Sequence, residues 1–315
     1  MIKNIKIEAA ADLDISKAIK VARKKHAYTD IEKMYQDEDI DIIYIATPHY
    51  LHKPMIEQAF KMGKHIFCEK PVAISIQEAR DIYQLDEKYK ELKLGFNYNY
   101  RYDQKCYRLA SALQNNHLGE IYYANCNVYF SRDQSYFEQG LWRSKKQSAG
   151  GGTLLIHGSH IMDIMLWALG EPISVMGKID NLKFKNSEVE DIGFGIIEFE
   201  SGCYAQINDS MFIKPSIGIL GERVELEVFG KKGRCHYKGP WPLSKLKWKG
   251  VKKFKIKKNT LGFSDMGRSI KAFRRWVLND KPYFNTVEES SKVLRMISAL
   301  YKSSGSGKKE LIEKF

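Results

Sequence analysis

Residues 41–73 read DIIYIATPHYLHKPMIEQAFKMGKHIFCEKPVA, and this pattern decides the architecture expected of the chain. Ile42 to Ala46 is a continuous apolar run, as expected of a parallel strand covered on both faces, and His65 to Cys68 and Leu94 to Asn97 supply two more. Helix starts surround them. Thr29-Asp30-Ile31-Glu32 and Ser75-Ile76-Gln77-Glu78 are capping boxes, in which a hydroxyl and a carboxylate satisfy each other's orphan backbone donors. Upstream, Ile5 to Ala11 has strand character and ends in Asp12, and Asp14 to His26 spaces Ala18, Ile19, Val21 and Ala22 at helical intervals. Alternating strands and helices predict an α/β, doubly wound parallel sheet over residues 1–97.

Beyond Asn97 the rhythm changes. One helix through Cys106 to Leu113 precedes strands near Ile121 to Phe130, Ile192 to Phe199, Cys203 to Asn208 and Val224 to Phe229, with period-two alternation. Helices expected near His160 to Leu169, Ser264 to Leu278 and Val287 to Lys302 would cover one face of an antiparallel sheet. An α+β domain is therefore expected over residues 98–315, with its other sheet face open to a partner subunit. The tail Ser303-Ser304-Gly305-Ser306-Gly307-Lys308 is the nearest thing to a linker. It is no phosphate-binding loop, because Lys302 and Lys309 stand where a glycine and a hydroxyl are required.

With 315 residues, 43% hydrophobic and 28% charged, the chain can bury a sizeable core. No run approaches the roughly eighteen apolar residues of a membrane helix. Met1-Ile2-Lys3-Asn4-Ile5 lacks the basic-then-apolar order of a secretion signal, so no membrane association and a cytoplasmic location are expected. The five cysteines, at 68, 106, 126, 203 and 235, are far apart and include no CxxC pair, which indicates neither a disulfide framework nor a zinc site. Cys68 reads as a buried strand residue. The net charge of +13 invites a nucleic-acid reading, but eight of the lysines lie between Lys245 and Lys258. Their alternation with Leu246, Trp248, Phe254 and Ile256 around Gly250 predicts a hairpin whose charged solvent face prevents edge-to-edge pairing, so no nucleic acid is expected.

The ordered set Ile45-Ala46-Thr47-Pro48, Gly63-Lys64-His65 and Glu69-Lys70-Pro71 resembles the second half of the nucleotide-binding domain in the Gfo/Idh/MocA family of sugar and inositol oxidoreductases. Trp142-Arg143, Gly150-Gly151-Gly152 and His160-Ile161-Met162-Asp163 are similar to that family's substrate-site block. Gly119-Glu120-Ile121, Glu190-Asp191 and the closing helix extend the likeness over essentially the whole chain. The resemblance implies an NAD(P)-dependent oxidoreductase that transfers hydride between nicotinamide and a hydroxyl of a sugar, nucleotide sugar or cyclitol. It also implies a homodimer or homotetramer formed through the second-domain sheet.

A dinucleotide fold places GxGxxG between its first strand and first helix, with an acidic residue roughly 20 positions later for the ribose hydroxyls. Asp12 fits that acid, so the glycines are expected before Met1, and the Rossmann-type sheet is expected to be incomplete. An upstream start, a degraded relative and a fold that has closed the gap all remain open. Without the central strand, the strands at Ile5 to Ala11 and Ile42 to Ala46 would each expose an edge unless they pair with each other or borrow a strand. With Leu13 after Asp12, a 2′-phosphate would meet a carboxylate and no cation, so NAD is expected over NADP.

Hydride transfer needs a held cofactor, a base for the hydroxyl proton and donors that position the sugar. By motif position the resemblance assigns Lys70 and His160 as catalytic. It places Asp12 at the adenosine ribose, Ala46, Thr47 and Pro48 along the dinucleotide, His52 at the next helix, and Glu69, Lys70 and Asn97 at the nicotinamide end. Arg101, Trp142, Arg143, His157 and Asp163 are the expected substrate contacts. The plain alternative for His160 is a satisfied helix histidine paired with Asp163. Ile156 stands where the family commonly has Asp or Asn, which removes a polar substrate partner. His157, His160 and Asp163 share one face but lack a distant further ligand, so no metal is expected. The competing expectation is a non-catalytic sugar-binding or scaffold relative that has lost cofactor binding, and a lyase or hydrolase on the same fold is a third.

Overall fold

The computed structural model describes residues 5–22, 26–36, 39–214, 222–239, 244–255 and 264–315. Its first part runs β1 (Ala9–Ala11), α1 (Ile15–Ala22), β2 (His26–Tyr28), α2 (Ile31–Tyr35), β3 (Ile42–Ile45), α3 (His52–Lys61), β4 (His65–Cys68), α4 (Ile76–Lys88) and β5 (Leu94–Phe96). The apolar runs at β3, β4 and β5 form a parallel sheet in that order, with Ile42 opposite His65 and Ile66 opposite Leu94. Ile45, Ile66, Cys68, Leu94 and Phe96 are fully buried in it, as two-sided cover requires. β1 and β2 make a separate parallel pair, with Ala9 opposite His26. Among the described residues no ladder joins β1 to β3, so the sheet is split at the expected place and the two strands have not closed on each other.

Three local expectations need correction. β1 is confined to Ala9–Ala11, and His26, expected to close α1, instead opens β2. A three-residue strand is too short to show a period, so β2 left no signal. Asp30, not Thr29, caps α2, accepting from the Glu32 amide at 3.0 Å. Ser75 caps α4 as anticipated, at 3.2 Å from the Glu78 amide.

The second part continues with α5 (Gln104–Gln114), β6 (Ile121–Phe130), two one-turn helices α6 (Ser135–Glu138) and α7 (Lys146–Ala149), and α8 (Ser159–Leu169). Then follow β7 (Pro172–Asp180), β8 (Ile192–Phe199), β9 (Tyr204–Ser210), β10 (Glu222–Gly230), β11 (Gly233–Gly239), β12 (Lys245–Lys249), α9 (Asp265–Asn279), α10 (Val287–Ser306) and β13 (Glu310–Leu311). The sheet order is β12-β11-β10-β6-β9-β8-β7-β13, antiparallel except for the β6–β9 pair. α10 lies on β7, and Gly177 makes room for it: a Cβ there would sit 2.4 Å from Leu300 Cδ1. On the opposite face Met176, Phe194, Ile196 and Tyr204 are exposed.

The serine-glycine tail is not a linker. α10 runs through Ser306, and Gly307 ends it at φ 68°. The lysine-rich segment also pairs differently from the expectation: among the described residues β12 is the sheet edge, its hairpin partner is β11, and residues 251–255 beyond Gly250 form no strand. Lys245, Lys247 and Lys249 face solvent while Leu246 and Trp248 are half-buried, so the charged edge itself is present. Ile256, Lys257 and Lys258 lie outside the described residues. No described helix is long and apolar enough to cross a membrane.

Candidate active site

The loops that leave β3 and β4 are tied together by a buried histidine. The fully buried His52 ring sits with Nδ1 2.9 Å from the Pro71 carbonyl and Nε2 3.2 Å from the Thr47 carbonyl. Burial depresses its pKa, so the ring is neutral and its single N–H donates to one of the two carbonyls; His52 braces the loops mainly by packing beneath both, instead of presenting itself to a ligand. His49, which the sequence reading passed over, extends the brace to the second part of the chain. Burial lowers it to about 3, so its neutral Nδ1–H donates to the Ala149 carbonyl at 2.8 Å. Its ring meets Trp142 edge-on at 4.6 Å.

At the end of β4, Glu69 Oε1 accepts from the Tyr44 hydroxyl and from Asn97 Nδ2, the latter at 2.8 Å. Asn97 Oδ1 is buried without a donor among the described residues. Lys70 Nζ donates to the Ile156 carbonyl at 2.6 Å, which brings the ammonium to the start of the His157–His160 segment. Burial lowers its pKa to about 8, with Glu69 opposing the shift. His160 stacks on Tyr100 at 4.9 Å and meets Tyr98 edge-on at 6.1 Å. Burial, and then the Lys70 charge, hold its pKa well below the usual histidine range. His160 Nδ1, His157 Nε2 and Tyr98 Oη are buried and unpartnered among the described residues. Each unmade bond costs about 1–3 kcal/mol, so these three atoms and Asn97 Oδ1 are available to polar groups of a ligand.

The segment carrying the two histidines is held by acids that the sequence reading did not identify as site residues. Leu154–Gly158 is a wide π turn, and Glu190 grips its entrance. The Glu190 carboxylate accepts from the Gly152 amide at 2.8 Å, the Leu154 amide at 3.2 Å and the Tyr301 hydroxyl at 2.9 Å. Thr153 Oγ1 donates to Asp209 at 2.6 Å. Burial raises Glu190 to about 7 and Asp209 to about 8. A Cβ on Gly152 would lie 1.8 Å from the Glu190 carbonyl oxygen, backbone against backbone. Gly152→Ala is therefore expected to destabilise the protein by about 3 kcal/mol, read as a lower urea midpoint, because neither strand nor turn can yield. An unchanged midpoint would contradict this packing.

Two expected substrate contacts are placed elsewhere. Arg101 and Asp163 form a bidentate pair at 2.8 and 2.7 Å, with side chains 1% and 0% exposed. Arg101 also donates to the Phe284 carbonyl at 2.8 Å and to Glu289 at 3.0 Å. With its donors so occupied, the pair is a clamp between the turn Asn99–Tyr102, α8 and α10, and Asp163 is not free to pair with His160. Trp142 and Arg143 do lie near the histidine segment, with Arg143 over the Tyr136 ring at 5.1 Å. Among the described residues no three His, Cys, Asp or Glu side chains are grouped to hold a metal.

Glu69, Lys70 and the open Asn97 Oδ1 offer donors and acceptors that fit the nicotinamide end of a dinucleotide. The turn from β1 to α1, Asp12-Leu13-Asp14, is exposed, with Asp12 Oδ1 accepting from the Asp14 amide at 2.9 Å. Its carboxylates suit ribose hydroxyls and oppose a pyrophosphate.

Residues 2–98 match the oxidoreductase family with NAD-binding Rossmann fold, and residues 107–236 match the GFO/IDH/MocA C-terminal domain. The chain is 31% identical over 189 residues to the glucose-6-phosphate 3-dehydrogenase of Bacillus subtilis, covering 56% of this chain and 51% of that protein. It is 28% identical over 187 residues to the 1,5-anhydro-D-fructose reductase of Ensifer adhaerens, covering 59% and 55%. The alignments thus span only about half the length of these curated relatives. In structure it is similar to the WlbA dehydrogenase of Bordetella pertussis in complex with NADH and UDP-GlcNAcA, with TM-score 0.84 and 20% identity over 97% of this chain and 90% of that one. A split parallel sheet joined to a large antiparallel sheet, two ordered motif blocks and both family matches place this chain in the Gfo/Idh/MocA oxidoreductase family.

Proposed function

We propose that the protein is an NAD-dependent oxidoreductase acting on a hydroxyl of a sugar, nucleotide sugar or cyclitol. The observation that carries this reading is the Lys70 amine, lowered to about 8 and held against the Ile156 carbonyl beside unpartnered His157, His160 and Tyr98 atoms. When bound, NAD supplies the hydride acceptor. In the oxidation direction the neutral Lys70 amine takes the hydroxyl proton, and the neutral His160 ring orients the sugar by a hydrogen bond at Nδ1. Trp142, Arg143 and His157 contact the rest of the substrate. Ala46, Thr47 and Pro48 line the dinucleotide, with Glu69 and Asn97 at its nicotinamide end and Asp12 at the adenosine ribose. The exposed face at Met176, Phe194, Ile196 and Tyr204 suits a homodimer or homotetramer. Oxidation of a panel of sugars, followed by NADH absorbance, tests the reading: no NADH from any member would reject it.

The Asp12-Leu13-Asp14 turn favours a second reading, a sugar-binding or scaffold protein with little cofactor affinity. Energy transfer from tryptophan to bound NADH separates the two. Under the leading reading NADH binds and NADPH binds about tenfold more weakly, since the 2′-phosphate meets carboxylates. Tighter NADPH binding would overturn the cofactor assignment, and no binding of either would favour the scaffold.

A further inference from the structure

The segment between β6 and the π turn gathers charge of one sign around one ring. Arg132 and Arg143 place their guanidinium carbons 5.6 and 5.1 Å from the Tyr136 centroid. Arg132 also lies 4.9 Å over Phe130, and Arg143 lies 5.1 Å over Trp142. His157 belongs to the same cluster, stacked 4.3 Å from Phe130 and tilted 5.4 Å from Tyr136. Its Nε2 and the Arg132 Nε are buried with no partner among the described residues. Burial holds His157 well below the usual histidine range, and the positive charges of Arg132, Lys70 and Arg143 press it further down. Glu69 offsets the Lys70 charge and Glu222 accepts from Arg132 at 2.8 Å. Arg143 has no carboxylate partner among the described residues. Two guanidinium groups drawn to one half-buried ring repel each other, and a shared anion relieves that repulsion through charge-assisted hydrogen bonds from both.

We infer that the sugar carries an anionic group, a carboxylate or a phosphate, seated between Arg132 and Arg143 beside Tyr136. This deepens the proposed function and rests on it. The rings of Phe130, Tyr136 and Trp142 offer an apolar wall to the sugar ring, and Lys70 reaches the same cluster through the Ile156 carbonyl, one residue before His157. A neutral hexose would leave the Arg143 charge half-buried and unanswered.

Calorimetric titration of the full chain with a panel of hexoses, their uronates and their 6-phosphates tests the inference. The acidic sugars are expected to bind about tenfold or more tightly than their neutral counterparts, the size of one charge-assisted hydrogen bond. Arg143→Gln should abolish that ratio, and Arg143→Lys should retain part of it. Comparing the uronates with the phosphates identifies the group. Equal binding of neutral and acidic sugars by the wild-type chain would overturn the inference and leave the oxidoreductase reading intact. Binding of no sugar would overturn both. Should Arg143→Gln not fold, the wild-type ratio and the Arg143→Lys variant still decide.

Discussion

Lys70→Ala is expected to lower the rate of sugar oxidation about a thousandfold, the middle of the range for loss of a positioned general base. The pH profile gives the test its specificity. Burial lowers Lys70 to about 8, so the neutral amine that accepts the proton grows as pH rises through that value. Wild-type oxidation should therefore rise with pH up to about 8 and level off above it, and the reverse reduction should fall over the same window. His160 cannot produce this limb, because burial keeps it neutral throughout that range. In Lys70→Ala the limb should vanish with the rate. A variant that keeps full turnover, or keeps the limb, would remove Lys70 from the chemistry.

Asp163→Ala is expected to cost about 4 kcal/mol of stability, within the range for breaking a buried ion pair by removing one partner. The cost arises at Arg101. Its guanidinium is 1% exposed and loses a bidentate partner, keeping only Phe284 and Glu289. Urea unfolding measures the effect, and Asp163→Leu combined with Arg101→Leu should recover much of it, since a well-packed apolar pair leaves no buried charge. If Asp163→Ala instead leaves the unfolding midpoint unchanged and weakens sugar binding, Asp163 is a substrate contact after all. The clamp matters to the site indirectly: Asp163 lies one turn beyond His160 on α8, so the pair fixes the helix that carries the histidine.

The strands at β3, β4 and β5 were legible because each is a run of apolar residues buried on both sides, a pattern that needs no knowledge of its neighbours. β6 and β8 were legible through alternation, and the long helices through their period. β2 and β13 were not, because three and two residues carry no period and are strands only by virtue of their partners, and the longer β7 and β11, of nine and seven residues, were not read either. The edge hairpin was misread for a related reason: alternation shows that Lys245 to Lys249 is a strand but not which strand it joins.

The same division runs through the site. Motif order alone pointed to Lys70, His160, Trp142 and Arg143 as candidates, because each stands in a short ordered block that can be read without knowing its neighbours in space. Tyr98, His49 and Asp209 carried no such mark, because a tyrosine or a carboxylate joins such a cluster only when distant chain segments bury it there. What the sequence by itself determined is the family, the pairing of a parallel sheet with a large mostly antiparallel one, and the chemical types available. Only the tertiary structure decided that Arg101 and Asp163 would neutralise each other and that Arg143 would have no carboxylate partner among the described residues. Charge pairing depends on distance and burial, and residues 62 positions apart in sequence have neither until the chain has folded.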